Sequence, residues 1–377
     1  MRIAVDIEPY YVNRSGVGRY VHGVLSGLTR LEHDDRYTLF RSRTYAREEA
    51  MPNLARERVS ETVLPRRHRT LQLTWLLVGR PPVETFVGDH DVYFGTCVPA
   101  FPTRGRLVVT VHDLVWMRFP GMFSRRADWG RRRGLRYVLR HAATVIADSE
   151  ATRRDIIEFT GFDARRVRTV LPGIDESFLR RPGETGVDET LARLKVRRPY
   201  VLAVAGDNSP KKNLPTLVRA LSRLPADMSD VTLVNVGKPR YDVRALTEEI
   251  DRLRMSDRVT FLGRVSDDDL RSLYVGARVT AFPSFCEGFG FPIVESMAQG
   301  TPVVTSNVSS MPEVAGDAAV LVDPRDVDGL SAAVRSLVSD DALHARLRAK
   351  GLERIRAFSW EKSARQTRAL FAELTGE

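Results

Sequence analysis

The feature that most constrains the fold is a regular alternation of short β-branched runs with amphipathic helical stretches, which passes along the chain twice. Such alternation is typical of βαβ units, in which a mainly parallel sheet is covered by helices on both faces. The first pass predicts strands at residues 2–7, 37–41, 58–63, 91–94, 107–111, 144–147 and 168–171. The second predicts strands at residues 200–205, 231–236, 259–262, 279–282, 302–305 and 319–322. The fold class is therefore predicted to be α/β.

Length and pattern together predict two domains. A chain of 377 residues exceeds what one hydrophobic core usually serves. The alternation breaks at residues 171–175, and the polar segment 181–186 contains Gly and Pro and suits a linker. We predict one domain over residues 1–180 and another over 187–357, with helices expected from about residues 213, 240, 266, 292 and 327. Two further helical segments, 343–356 and 360–374, close the chain without another strand.

Composition narrows the cellular setting. No apolar signal region and no apolar run of the roughly 20 residues that a membrane span needs is present, so a cytoplasmic protein is expected. The only cysteines, Cys97 and Cys286, lie in different predicted domains, which argues against a disulfide framework or a zinc cluster.

Positive charge is concentrated in the N-terminal half. Residues 1–180 hold 30 of the 58 basic and 21 of the 48 acidic residues, so most of the net charge of +10 lies there. This asymmetry indicates an anionic partner: a lipid-phosphate acceptor, a membrane surface or nucleic acid. The basic stretch 125–140, with Trp129 and Tyr137, either lies on an anionic bilayer or forms an ordinary helix with outward arginines. Residues 65–69 form a second basic patch, for which the same two interpretations are open.

The segment 279–295 carries the clearest functional motif. A buried-strand pattern runs into a glycine turn that opens a helix, with Glu287 and Glu295 at the ends of the turn. Gly288 and Gly290 allow backbone N–H groups to approach a ligand, and Pro292 suits the first helical position. The helix N-terminus offers partial positive charge to a diphosphate, and the two carboxylates can accept hydrogen bonds from hydroxyls. The structural alternative is a solvated Glu287 and a Glu295 that complements the helix dipole.

This segment resembles the Glu, seven residues, Glu motif of glycosyltransferase family 4. Residues 300–304 and 312–316, which follow it, extend the resemblance to the family over about forty residues. The resemblance implies a GT-B fold: two Rossmann-like, doubly wound domains with an interdomain cleft, the donor chiefly on the second domain and the acceptor on the first. It also implies that residues 358–377 form a helix crossing back to the first domain. Glu295 would hold the ribose, whereas Glu287 and the backbone of Gly288, Phe289, Gly290 and Phe291 would hold the donor sugar.

Further motifs extend the predicted donor site. Lys212, in the loop at residues 206–213, resembles the phosphate-binding lysine of the family, and a cation there would stabilise the leaving diphosphate. Many members carry an arginine where this chain has Asp207, so Lys211 is the candidate for the second charge. The alternative is a solvated basic turn.

The first βα turn contains Gly16, Val17 and Gly18, which resemble the family loop that faces the donor diphosphate, although a tight turn is the alternative. A dinucleotide site also requires an acidic residue about 20 positions on, and here the second strand ends in Arg41, so NAD is disfavoured.

Two strand ends of the first domain carry a candidate donor-sugar contact and the acceptor-side candidates. His112 resembles the family histidine that contacts the donor sugar, and Asp113 would orient it or meet the acceptor. Ser149 is either part of an acceptor-side loop or a helix N-cap. The acidic run 267–269 reads as the first turn of a helix capped by Ser266, so no metal and no other cofactor is expected.

These motifs predict a retaining hexosyltransferase with His112, Lys212 and Glu287 as catalytic residues. The expected donor is GDP-mannose or a related GDP-sugar, with UDP-sugars as the alternative. The expected acceptor is a hydroxyl of a glycan, a glycolipid or lipid-linked compound, or a small natural product, with peripheral contact to an anionic membrane. The rivals are a GT-B epimerase or hydrolase and a basic nucleic-acid-binding protein, but no recognition motif for nucleic acid is present, so nucleic acid is not an expected partner.

Overall fold

Two parallel β-sheets organise the chain, each in its own unit. The computed structural model describes residues 1–12, 16–65, 68–122, 125–206, 209–238 and 244–377. Unit 1 comprises Met1–Gly173 together with Phe358–Glu377, and unit 2 comprises Ile174–Ala357.

The unit 1 sheet contains seven strands in the order β3-β2-β1-β4-β5-β6-β7, and every neighbouring pair is parallel. Because the strand order reverses beside β1, right-handed crossovers place helices on both faces of the sheet. The strands are β1 (Arg2–Asp6), β2 (Arg36–Ser42), β3 (Val59–Leu64), β4 (Val92–Gly95), β5 (Arg106–Val111), β6 (Ala142–Ala147) and β7 (Val167–Thr169). The helices before residue 174 are α1 (Glu8–Val12), α2 (Gly16–Arg30), α3 (His68–Val78), α4 (Glu84–Val87), α5 (Val115–Arg118), α6 (Arg125–His141) and α7 (Glu150–Thr160).

The unit 2 sheet contains six parallel strands in the order β10-β9-β8-β11-β12-β13, which is the doubly wound order of a dinucleotide-binding domain. The strands are β8 (Tyr200–Gly206), β9 (Thr232–Gly237), β10 (Val259–Gly263), β11 (Val279–Phe282), β12 (Val303–Ser306) and β13 (Ala319–Val322). The helices are α8 (Glu184–Arg193), α9 (Leu214–Ser222), α10 (Arg244–Arg252), α11 (Asp267–Gly276), α12 (Phe291–Ala298), α13 (Met311–Ala315), α14 (Val327–Ser339) and α15 (Asp341–Arg354). Apolar residues of β8, β11, β12, α9 and α14 form its buried core.

The predicted α/β class is confirmed, and every strand range from the sequence overlaps a strand of the structure. Four local readings differ. Helix α1 lies between β1 and the glycine turn, where none was expected; its buried Glu8 accepts the backbone N–H of Ser42 at 2.9 Å, a contact from the neighbouring strand. Residues 184–186, expected in a linker, begin α8, and Phe291 begins α12, so Pro292 is its second residue. The helix expected from residue 240 is observed from Arg244, because residues 239–243 lie outside the described part.

The C-terminal helix α16 (Trp360–Thr375) packs on α2 within unit 1, and two glycines make the close approach possible. A Cβ added at Gly23 would lie 2.0 Å from the indole of Trp360, and one at Gly27 would lie 2.7 Å from its carbonyl oxygen. The glycines of α2 are therefore retained for packing, despite the low helix propensity of glycine.

Among the residues that the structure describes, no helix is long and apolar enough to cross a membrane. Cys97 and Cys286 are both free thiols.

Candidate active site

Three charged side chains meet at the carboxyl edge of the unit 2 sheet. Lys211 and Lys212 lie in a short turn after β8, and Glu287 follows β11. Since β8 and β11 are the neighbours at which the strand order reverses, their loops emerge side by side. The Nζ of Lys211 lies 3.2 Å from Oε2 of Glu287, and the Nζ of Lys212 lies 2.8 Å from Oε1. The structure thus brings together three residues that the sequence assigned to the donor site.

The lysine turn is held by backbone contacts. Asn213 adopts a left-handed conformation at φ 57°, and its side-chain amide donates to the carbonyl oxygens of Pro283 at 3.0 Å and Pro324 at 2.6 Å. The N–H of Phe285 donates to the carbonyl of Lys211 at 2.8 Å. The turn is therefore fixed to the loops after β11 and β13. This fixes the backbone from which the two flexible lysine side chains extend.

The cluster carries a net positive charge when all three groups are ionised. Burial raises the pKa of Glu287, but the adjacent Lys211 and Lys212 outweigh it and hold that pKa below its ordinary value. The side chain of Glu287 is only 8% exposed and those of both lysines 15%, so solvent screens the cluster weakly. Two cations against one carboxylate leave a site that attracts an anion.

The glycine loop after Glu287 has a fixed backbone. Gly290 adopts φ +113°, a conformation that other residues rarely take, and precedes the first turn of α12. Ser310 is fully buried, and its hydroxyl donates to the carbonyl oxygens of Glu287 at 3.0 Å and Phe289 at 2.8 Å. Those carbonyls are therefore turned toward Ser310, and the loop shape is set before any ligand enters.

Glu295 occupies a different setting from Glu287. It lies within α12, is 3% exposed, and accepts a hydrogen bond from the Tyr274 hydroxyl of α11 at 2.9 Å. The tyrosine fixes one carboxylate oxygen of the residue that the resemblance assigns to the ribose. Its neighbours in the motif, Phe289 and Phe291, contact each other edge to face with ring centroids 5.1 Å apart.

In unit 1, His112 follows β5 and pairs with Asp148, which follows the adjacent strand β6. The Nδ1 of His112 lies 2.6 Å from Oδ2 of Asp148, and its Nε2 lies 3.0 Å from the carbonyl oxygen of Thr96, at the end of β4. The ring of Tyr20 meets the imidazole edge to face at 4.9 Å. Three neighbouring strand ends therefore fix the orientation of His112.

Both partners of the His112 ring are hydrogen-bond acceptors, so a doubly protonated imidazolium satisfies both contacts. Burial lowers the pKa of His112, but the charge and hydrogen bond of Asp148 outweigh it and raise the pKa above its ordinary value. The second oxygen of Asp148, Oδ1, is buried and accepts no hydrogen bond within the described residues. These contacts fix the ring of His112 and favour its charged form, and its Nε2 can meet a hydroxyl only by sharing or leaving the Thr96 carbonyl.

The other predicted residues of unit 1 lie at helix starts. Gly16, Val17 and Gly18 form the first turn of α2, and residues 13–15 of the same motif lie outside the described part. Asp113 accepts the N–H of Val115 at 3.3 Å. Ser149 is the N-cap of α7: it is fully buried and accepts the N–H of Thr152 at 3.1 Å, which confirms the capping alternative and leaves an acceptor contact as a prediction.

The acidic run 267–269 forms the first turn of α11. Ser266 caps α11 by accepting the N–H of Asp269 at 3.1 Å, as predicted. No group of three or more His, Cys, Asp or Glu side chains suited to a metal ion occurs in the described ranges. Asp207, the departure from the family arginine, lies outside the described residues.

Comparison with known proteins decides the family. The model of the family described as Glycosyltransferase Family 4 matches residues 14–178, and that described as Glycosyl transferases group 1 matches residues 190–354. The MMP alpha-(1->4)-mannosyltransferase of Mycolicibacterium hassiacum is 32% identical over 307 residues, covering 75% of this chain and 71% of the relative. The chain belongs to glycosyltransferase family 4.

Two further similarities extend over the whole chain. The O-antigen chain mannosyltransferase B of Escherichia coli is 29% identical over 387 residues, covering 97% of this chain and 98% of the relative. The structure of HepE from Anabaena in complex with UDP-glucose superposes with a TM-score of 0.74 at 20% identity, covering 99% of this chain and 100% of HepE. At that identity the likeness shows the fold alone. The protein is a glycosyltransferase of the GT-B fold.

No role was assigned from the sequence to four residues that contact the predicted site residues. They are Asp148, Thr96, Tyr274 and Ser310. A signal existed for Asp148, because polar residues at the ends of neighbouring parallel strands share one edge of the sheet. Thr96 contributes through a backbone carbonyl, which no side-chain pattern reveals.

Proposed function

We propose that the protein is a retaining hexosyltransferase that takes mannose from GDP-mannose, or the hexose of a related GDP-sugar, and transfers it to a hydroxyl acceptor. The observation that carries the proposal is the pair of lysines shared by the buried carboxylate of Glu287. A nucleotide diphosphate offers such cations a stronger anionic partner than one carboxylate does.

Donor binding would exchange the partners of this cluster. The diphosphate would take Lys211 and Lys212, which would leave the carboxylate of Glu287 available to accept hydroxyls of the donor sugar. The start of α12 would add the partial positive charge of a helix N-terminus. Glu295, already oriented by Tyr274, would accept the ribose hydroxyls. Glu287 would then bind the sugar end of the donor, the two lysines its diphosphate, and Glu295 its nucleoside end.

The chemical step would rest on stabilising the leaving group. As the glycosidic bond breaks, charge develops on the diphosphate, and Lys212 would lower the barrier by meeting that charge in a weakly solvated setting. The leaving phosphate oxygen would accept the proton of the acceptor hydroxyl on the same face of the sugar, so the anomeric configuration would be retained. No metal is assigned a role in this proposal.

Unit 1 would contribute the acceptor side. His112 as an imidazolium can donate to a hydroxyl of the donor sugar, and Asp148 keeps it charged and oriented. We assign Asp113 and Ser149 to the neighbourhood of the acceptor, which would be a glycan, a lipid-linked sugar or a small molecule. Gly16, Val17 and Gly18 would direct the N–H groups of the first turn of α2 to the donor phosphate.

The preference for GDP-mannose is supported by two relatives named as mannosyltransferases. The UDP-glucose in the HepE structure keeps UDP-sugars as the alternative. A thermal-shift panel of GDP-mannose, GDP-glucose, UDP-glucose and UDP-galactose separates the two, because a ligand stabilises the folded state in proportion to its occupancy. We expect the largest shift with GDP-mannose, and a larger shift with either UDP-sugar would reverse the donor assignment.

Activity is tested by incubating the preferred donor with candidate acceptors and following products by mass spectrometry and ¹H NMR. Retention predicts that an α-linked donor gives an α-linked product. Lys212→Ala should reduce turnover by at least about tenfold, the loss of about 1.4 kcal/mol of transition-state stabilisation, whereas the exposed Lys362→Ala serves as a matched control. Free sugar or an epimer formed without acceptor, in place of transfer, would identify a hydrolase or epimerase instead.

A further inference from the structure

A cavity in unit 1 combines an apolar floor with a cationic rim. It has a volume of about 210 Å³ and is lined on one side by Trp75 of α3 and by Ala100 and Phe101 of the loop between β4 and β5. On the other side it is lined by Arg133, Arg136 and Arg140 of α6. Nothing in the proposed transfer reaction uses this cavity.

The floor is an aromatic and aliphatic surface. Trp75 and Phe101 pack with ring centroids 3.9 Å apart, and both side chains are nearly buried. The indole N–H of Trp75 already donates to the carbonyl oxygen of Pro81 at 2.6 Å, so its ring presents apolar surface. Val78, one helical turn beyond Trp75, is 68% exposed, and apolar surface therefore continues outside the cavity.

The rim consists of arginines on one face of a helix. The spacing of Arg133, Arg136 and Arg140 is i, i+3, i+7, which brings them to the same side of α6. Arg136 and Arg140 make no ion pair and no hydrogen bond through their side chains with any residue in the described ranges. None of the described residues that line the cavity is acidic. The guanidinium groups of Arg136 and Arg140 are therefore available to an external anion.

Glu84 of α4 is an acidic group whose charge reaches Tyr137 of the cavity wall. Its Oε1 accepts the hydroxyl of Thr103 at 2.6 Å and the N–H groups of Arg104 at 2.6 Å and Gly105 at 3.0 Å. Its Oε2 is buried and accepts no hydrogen bond within the described residues, so neither oxygen pairs with Arg136 or Arg140.

The residues that line the cavity differ from those that contact His112. His141, another lining residue, immediately precedes β6, whereas Asp148 follows the end of the same strand, so these two residues lie at opposite ends of β6. Ala100 lies nearer the other end of the sheet, because a Cβ added at Gly95, the last residue of β4, would lie 3.0 Å from it. The cavity therefore extends along the sheet and shares no residue with the His112 site.

We propose that this cavity is a binding site for a phosphate-bearing amphiphile, with the phosphate held by Arg136 and Arg140 and the apolar chain against Trp75 and Phe101. Two or more guanidinium forks suit the several oxygens and negative charges of a phosphate ester. A purely ionic ligand fits the cavity less well than an amphiphile, because such a ligand would leave the apolar floor exposed to water. The site is independent of the proposed donor and of the transfer reaction.

The test titrates the full-length protein with decyl phosphate, kept below the concentration at which it forms micelles, by isothermal calorimetry. Inorganic phosphate and 1-decanol are titrated separately, as the anionic half and the apolar half of the ligand. We expect one-to-one binding of decyl phosphate at least tenfold tighter than either half. The double variant Arg136→Gln/Arg140→Gln should weaken it at least tenfold, and Arg136→Lys/Arg140→Lys should recover part of the loss because the charge returns without the planar fork.

The matched control is Arg335→Gln/Arg346→Gln, which removes the same charge from two exposed arginines of unit 2 and should bind decyl phosphate like the wild type. Equal loss in both double variants, unchanged binding after Arg136→Gln/Arg140→Gln, or equally tight binding of inorganic phosphate would overturn the proposal. Circular dichroism of each variant verifies that a loss does not reflect misfolding.

A vesicle arm distinguishes the source of the amphiphile. Tight binding of decyl phosphate together with flotation on phosphatidylglycerol vesicles, but not on phosphatidylcholine vesicles, supports the site and identifies a membrane lipid as its source. Tight binding without flotation supports the site with a soluble phosphate ester as its source. Flotation on phosphatidylglycerol without binding of monomeric decyl phosphate overturns the cavity site and leaves a diffuse attraction of α6 to an anionic surface.

Discussion

Replacing Glu287 by glutamine leaves two lysines side by side without the carboxylate that both contact. Removing one partner of a buried ion pair costs about 3–5 kcal/mol. Because each lysine side chain keeps 15% exposure, we expect the low end, about 3 kcal/mol. For a unit of this size each kcal/mol corresponds to roughly 2–4 °C, so the melting temperature of unit 2 should fall by roughly 6–12 °C.

The same substitution should tighten the binding of GDP, which carries the diphosphate but no sugar. In the wild type the diphosphate must displace Glu287 from Lys211 and Lys212, whereas in the variant that carboxylate no longer competes for the two lysines. If about half of the lost pair energy is regained, the dissociation constant of GDP falls by about tenfold. Lys212→Ala should change it in the opposite direction, by about the same factor.

Isothermal calorimetry with GDP and thermal scanning with and without GDP measure both effects. Glu189→Gln, at an exposed position of α8, is the matched control and should leave both quantities unchanged. GDP that binds Glu287→Gln no tighter than the wild type would refute the reasoning, because the lysines would then not be the groups that receive the diphosphate.

Three further predictions concern other parts of the molecule. Asp148→Asn should lower the pKa of His112, since only the Thr96 carbonyl and the charge of Asp113 then oppose burial. The stabilisation from the raised pKa is present below pH 6.5 and is lost as pH rises through the raised pKa, so urea unfolding should show a larger loss of stability at pH 6 than at pH 9, about 1.4 kcal/mol per unit of pKa difference. Glu295→Ala should weaken nucleotide binding by about tenfold in a calorimetric titration while the affinity for decyl phosphate in the unit 1 cavity stays constant. Gly23→Val should destabilise unit 1 by more than about 3 kcal/mol in denaturant unfolding, because the indole of Trp360 occupies the space that the new side chain would need. Adding Trp360→Ala to that variant should recover part of the lost stability. An unchanged unfolding midpoint for Gly23→Val alone would contradict the packing.

Much of the fold could be predicted because the strands are buried on both faces and read as short apolar runs. β11 and β12 are buried along their whole length, and their predicted ranges match the observed ones to within a residue. Helix α1 escaped prediction because its five residues are too few to show a helical period, and its Glu8 is fixed by Ser42 of a neighbouring strand. The start of α8 was read as a linker because Gly and Pro before Glu184 resemble loop residues, although Gly183 is its N-cap.

The amino-acid sequence by itself determined the α/β class, the repeated βαβ pattern, the glycine loop and the identity of the charged residues around it. These follow from periodicity and from residue chemistry, which are local. Only the tertiary structure decided which charges meet: that both lysines share Glu287, that Glu295 is held by Tyr274, and that Asp148 and the Thr96 carbonyl fix His112. The lysine and histidine contacts join the ends of strands that are adjacent in the sheet but 16 to 75 residues apart in the chain, whereas Tyr274 reaches Glu295 from the preceding helix. Such distances are set by strand order and helix packing rather than by sequence spacing.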